Sequence, residues 1–154
     1  MYYLGIDPGL SGAFALLENT EVRIVKAFQD VGNTPDLMPF LDCVNFLMHE
    51  QQASKCCIEK VGSMPKQGVT SMFTFGQNYG WLLGVLDLGE IPYQTIAPKT
   101  WKKEYGLNSE KENSIVVCRR LFPDVDLKRT PKCRTPHDGM AEALLMAEFA
   151  RRKL

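Results

Sequence analysis

Three short strand-like stretches stand together at the start of the chain before any helical pattern begins, and that order restricts the fold more than any other feature. Residues 2–7 alternate, with Tyr2, Leu4 and Ile6 on one side and Tyr3, Gly5 and Asp7 on the other, until Pro8, Gly9 and Gly12 end the strand. Residues 13–17 and 22–28 read as two more strands joined by a turn around Glu18, Asn19 and Thr20, so the chain opens as an antiparallel meander. A helix follows, with Thr34 as N-cap, Pro35 at its first position, and Leu37, Phe40, Leu41, Val44, Leu47 and Met48 as an apolar stripe facing the sheet. Residues 55–59 read as a short buried strand, 69–88 as a long helix and 93–96 as a last strand. Pro98 opens a helical turn bearing Lys99, Lys102 and Lys103. Ser109 and Glu112 form a capping-box pattern for a helix running to Phe122, and a final helix follows the loop 123–136. The order βββ, α, β, α, β, α, α predicts an α/β fold with a mixed sheet flanked by helices. With 154 residues, no internal repeat and no linker, residues 1–154 are read as one domain.

Composition excludes several classes. An apolar fraction of 45% with 23% charged residues rules out wholesale disorder. No stretch has the length and apolarity of a membrane span, and the opening residues lack a basic leader pattern, so a soluble, unexported, cytoplasmic protein is expected. The five cysteines, Cys43, Cys56, Cys57, Cys118 and Cys133, show no CxxC pair and are read as reduced thiols. Eighteen basic and eighteen acidic residues balance overall, but residues 99–134 hold ten Lys or Arg against five Asp or Glu. Charge is therefore segregated along the chain.

Four carboxylates stand out. Asp7 closes the first strand on the side opposite Leu4 and Ile6, where it either starts a turn or joins a site. Glu59 ends an apolar strand and points into whatever Cys57 packs against, unless the strand has already reached water. Asp138, Glu142, Leu145 and Phe149 are spaced four, three and four, which puts both acids on the inward stripe of the final helix. Asp138 also fits a helix start in which Thr135 caps and Pro136 takes the first position. Carboxylates from two strand ends and one helix can hold hard divalent cations, and two such ions suit an in-line displacement at phosphorus.

The stretches GIDPGLSGA (5–13), CCIEK (56–60), FGQNYGWLLGVL (75–86) and DGMAEALLMA (138–147), in this order and spacing, resemble the RuvC family of Holliday junction resolvases, within the ribonuclease H-like, retroviral-integrase superfamily. The resemblance implies a five-stranded mixed sheet whose first three strands are antiparallel, and an acidic site of Asp7, Glu59, Asp138 and Glu142 binding two Mg²⁺, with Mn²⁺ as substitute. It implies a homodimer that nicks paired strands of four-way DNA junctions, leaving 5′-phosphate and 3′-hydroxyl ends. The helix 69–88, with Gly76, Gly80 and Gly84 along one face, either forms the dimer interface or packs closely on its own sheet. The closing motif departs from the family, which usually places an acid or histidine where this chain has Gly139, leaving Asp138 or His137 as the fourth ligand. Met64 is the one bulky apolar residue at the tip of the loop after Glu59, where the family usually carries a wedging aromatic. It either wedges into an open junction or fills space beneath the loop.

Lys66, Lys99, Lys102, Lys103, Lys111, Lys128, Arg129, Lys132 and Arg134 either form a solvated face or contact nucleic-acid phosphates; nearness to an acidic metal site favours the second. Lys102 and Lys111 match family positions that help hold or cleave the junction. Competing readings are a nuclease for forks and flaps, a ribonuclease H-type enzyme for RNA–DNA hybrids, and a junction-binding protein without catalysis. The balanced net charge and short length would suit a phage-type member, acting in the host cytoplasm, and a cellular one would be nucleoid-associated.

Overall fold

The computed structural model describes residues 1–32, 34–50, 52–62, 68–107 and 111–154, the side chains of Lys111 and Glu112 apart. Strands β1 (Tyr2–Asp7), β2 (Ala13–Glu18), β3 (Glu21–Ala27), β4 (Ser54–Glu59) and β5 (Tyr93–Ile96) form one sheet in the order β3-β2-β1-β4-β5. The first three pair antiparallel as a meander, whereas β4 joins β1, and β5 joins β4, in parallel. Helices are α1 (Met38–His49), α2 (Val69–Leu88), α3 (Pro98–Glu104), α4 (Lys111–Leu121) and α5 (Asp138–Lys153). None of the described helices is long and apolar enough to cross a membrane.

Strand alternation divides the core between the two faces of the sheet. Tyr2, Leu4, Ile6, Phe14, Leu16, Cys56 and Ile58 point to one face, where α1 and α2 cover them with Phe40, Val44, Leu47, Leu82 and Leu86. Ala13, Ala15, Leu17 and Cys57 point to the other, against α5. Here the side chains are small for a reason. Register places Gly5 of β1 between Ala15 of β2 and Cys57 of β4, and α5 lies over this row with Ala143 and Ala147. A Cβ on Gly5 would overlap Ala143 O and Ala147 N, so the helix can lie this close to β1 only above glycine. With α4 packed on its other side, α5 is buried nearly all round, from Gly139 to Ala150 apart from Glu142. That is more than the single inward stripe read from its spacing.

Local signals explain where the elements start. The Thr34 cap predicted for α1 does not form: its hydroxyl donates to Val31 O at 2.7 Å, and residues 30 and 35 pair as an isolated bridge. The helix begins at Met38 instead, whose N–H is taken by Asp36 Oδ1 at 3.0 Å, with Pro39 in its first turn. Leu41 and Met48, expected on the buried stripe, are exposed, because Phe40, Cys43, Val44 and Leu47 supply the inward face. The Thr135 cap predicted for the last helix is likewise replaced: His137 is the N-cap, and its Nδ1 accepts from Met140 N at 3.2 Å. The turn at Pro98 is a seven-residue helix. Ser109 and its capping box lie outside the described residues. All five cysteines are free thiols, four of them buried, with burial pushing the thiols of Cys43, Cys57 and Cys118 up to about 12.

Replacing Gly5 by Ala is expected to lift α5 off β1 and to cost about 3 kcal/mol, the upper part of the overpacking range. A urea midpoint close to that of the unsubstituted protein would contradict this account of the helix–sheet contact.

Candidate functional site

The parallel register of β1 and β4 runs through Ile6 and Ile58, so Asp7 and Glu59 stand at adjoining carboxyl ends of the two strands. Both belong to the α5 face, being in alternation with Gly5 and Cys57. The close seat of α5 on Gly5 brings the start of the helix to the same end of the sheet. Gly139 is the point of contact: a Cβ there would stand 2.8 Å from Asp7 Oδ2 and 3.0 Å from Ser11 O. Any side chain at position 139 would begin with a Cβ crowded against the Asp7 carboxylate and Ser11 O. The departure from the family pattern therefore has a steric counterpart in this chain.

Of the four acids predicted from the sequence, Glu59, Asp138 and Glu142 all lie within electrostatic range of Asp7. Burial, and then repulsion from Glu142, Glu59 and Asp138, push the Asp7 carboxyl well above its ordinary range, while Lys102 pulls the other way. Glu59 is raised by burial, opposed by a hydrogen bond from Trp101 and by the charge of Lys102. Trp101 Nε1 donates to Glu59 Oε2 at 2.9 Å. Glu142 Oε1 receives both Lys102 Nζ, at 3.1 Å, and Ser114 Oγ, at 3.0 Å. Lys102 also lies over the Trp101 ring, 5.1 Å from its centre.

As they stand, no three of the described His, Cys, Asp and Glu side chains are gathered closely enough to enclose an ion. The donors nonetheless fit a hard divalent cation. They are carboxylate oxygens, and the repulsion felt at Asp7 is the charge excess that a cation would neutralise. Lys102 compensates part of that excess through Glu142. His137 spends Nδ1 on its helix cap.

The predicted basic residues divide. Lys102 has a hydrogen bond to one of the four acids, Glu142. Lys99, Lys103, Lys128, Lys132 and Arg134 are exposed. Arg129 has a structural contact, donating from Nη2 to Phe28 O at 2.9 Å and tying the long loop to the end of β3. Met64 and Lys66 lie outside the described residues, as does the side chain of Lys111. Gly76, Gly80 and Gly84 have open space where a Cβ would stand, so they do not serve close packing on their own sheet.

Trp101 and Ser114 were not singled out by the sequence reading. Each left a trace in the pattern. On a seven-residue helix whose other long side chains are three lysines and a glutamate, the one aromatic has to turn inward, where its indole N–H needs an acceptor. Ser114 precedes Cys118 and Leu121 at helical spacing and so shares their inward face.

No protein-family model and no curated protein sequence matches the chain. Solved structures do. T. thermophilus RuvC in complex with a Holliday junction substrate superposes with a TM-score of 0.64 at 18% identity, covering 99% of this chain and 96% of that one. A second Thermus thermophilus RuvC structure gives 0.63 at 18% identity, over 98% and 96%. The fold is thus the ribonuclease H-like fold of the RuvC type, with its mixed sheet and antiparallel opening meander. The resemblance read from the four sequence stretches holds at the level of three-dimensional structure.

The upward displacement of Asp7 has a definite sign for stability. Its folded-state value exceeds that of the unfolded chain, so ionising it costs stability. The cost is absent below the unfolded-chain value and accrues as pH rises through the folded one. In the presence of a chelator, Asp7→Asn is expected to raise the thermal midpoint by a few degrees at neutral pH, with the gain shrinking as pH falls toward the ordinary aspartate range. Equal midpoints at both ends of that range would contradict it.

Proposed function

We propose that this chain is a divalent-metal-dependent endonuclease that resolves four-way DNA junctions by paired nicks, leaving 5′-phosphate and 3′-hydroxyl ends. The observation that supports the reading is that Glu59, Asp138 and Glu142 lie within electrostatic range of Asp7 at one end of a RuvC-type sheet. T. thermophilus RuvC, to which the fold is similar, is known in complex with a Holliday junction substrate.

In this reading the four acids hold two Mg²⁺, or Mn²⁺ in their place. The pair supplies, when bound, activation of a water and stabilisation of the leaving oxygen in an in-line displacement. Glu59 and Asp7 present carboxylates from the rigid strand ends, while Glu142 and Asp138 present theirs from the first turns of α5. Lys102 stands beside Glu142 with its ammonium available to a phosphate oxygen once the carboxylate is otherwise engaged. Lys99 and Lys103 on α3, and Lys128, Lys132 and Arg134 on the loop before α5, are exposed where they can hold a backbone that the acids alone would repel.

Paired nicking asks for two sites, and a two-fold homodimer supplies them for a substrate of approximate two-fold symmetry. The face of α2 that carries Gly76, Gly80 and Gly84 is our candidate interface. It is open to solvent and flanked by Phe73, 74% exposed, and Leu88, 83% exposed. An apolar helix face of this kind, with backbone accessible at the glycines, suits close contact with its own copy.

The test is incubation with end-labelled four-way, Y-shaped, linear and RNA–DNA hybrid substrates, with and without Mg²⁺. Cutting of the four-way junction alone, dependent on the ion and lost in Asp7→Asn while junction binding survives, is the expected result. Preference for forks, flaps or hybrids would replace the substrate assignment, and normal cutting by Asp7→Asn would overturn the site. Replacing Lys99 and Lys103 together by Ala is expected to weaken binding and to lower the log–log salt slope by about 2. Gly80→Arg is expected to sediment as a monomer and to lose coordinated double nicking.

A further inference from the structure

We infer that Trp101 and Ser114 are positioning residues that fix the orientation of Glu59 and Glu142 for a divalent cation, a role resting on the four-carboxylate reading above. Both are buried, Trp101 fully and Ser114 to within 2%. In such positions apolar side chains would fill space equally well, and a buried N–H or hydroxyl costs free energy unless it finds a partner. Their partners are the two glutamates. Trp101 Nε1 takes Glu59 Oε2, and Ser114 Oγ takes Glu142 Oε1. Each bond engages one oxygen of its carboxylate and restricts rotation of the group, and the second oxygen is the one we assign to a cation.

The sources of the two donors add to the argument. Glutamate has one more rotatable bond than aspartate, so Glu59 and Glu142 need external restraint more than Asp7 does. Trp101 comes from α3 and Ser114 from α4, neither of which supplies one of the four acids. The same short α3 that presents Lys99 and Lys103 to solvent therefore holds a carboxylate on its inner side. Hydrogen-bond partners of metal ligands typically affect affinity by about 10- to 100-fold.

The experiment is calorimetric titration of the full chain with Mn²⁺ alone, without DNA, alongside unfolding midpoints measured in chelator. Ser114→Ala and Trp101→Phe are expected to weaken Mn²⁺ binding by about 10-fold or more. Ser114→Thr, which keeps the hydroxyl, is expected to bind more tightly than Ser114→Val, which has nearly the same shape without it. A purely structural role for the serine would instead make the Thr and Val variants bind alike, and that result overturns the inference for Ser114. Should Trp101→Phe fail to fold, the serine series decides. Asp7→Asn separates the two levels of the argument. If the unsubstituted protein shows no Mn²⁺ binding that Asp7→Asn removes, the four-carboxylate reading has failed. If Asp7→Asn removes binding while Ser114→Ala and Trp101→Phe bind as the unsubstituted protein does, the positioning role alone has failed.

Discussion

The contact of α5 with β1 is the constraint from which the rest of the molecule follows. A helix normally sits over a sheet at a separation set by the side chains between them, and here that layer has been thinned to a glycine and a pair of alanines. The row Ala15, Gly5 and Cys57 across three strands makes the depression, and Ala143 and Ala147 lie in it. Because the helix is seated so low, its first turns reach the strand ends, and acids distant in sequence are brought within electrostatic range. Gly139 repeats the device beside Asp7.

Such convergence is unfavourable for an isolated folded chain. Burial and like charge both act against ionisation of Asp7, and among the groups that answer them are Trp101, Ser114 and Lys102. These offset part of the excess, while the net effect at Asp7 remains against ionisation. A site with unrelieved charge stores free energy that a suitable ligand can release, which is the usual relation between a functional cluster and the stability of its scaffold.

Much of this was legible in the sequence because it rests on periodicity. The opening meander, the helix 69–88 with its bounds, and the inward placing of Asp138 and Glu142 all come from residue spacing, which burial enforces. Helix starts were read less well. Thr34 and Thr135 are good capping residues by type, but Asp36 and His137 stood where the backbone turned, and only tertiary packing decides between neighbours one or two positions apart. The glycines of α2 were ambiguous for a different cause: small residues on a helix show that some surface must come near, without saying whose. Trp101 and Ser114 escaped notice because their partners are 42 and 28 residues away in the chain. No local pattern encodes a bond of that span.

The opposite end of α5 carries its own arrangement. Burial alone would raise the Glu148 carboxyl, yet hydrogen bonds from Arg151 and Arg152 hold it below its ordinary range. Arg152 also lies over Tyr105, whose hydroxyl donates to Leu145 O, and Lys153 pairs with Glu104. These links tie the tail of the helix to α3 and the residue just beyond it, and they resist rotation about the helix axis. Since a rigid helix transmits any twist along its whole length, the azimuth of Glu142 is governed in part by ties about three turns away that no substrate need ever touch.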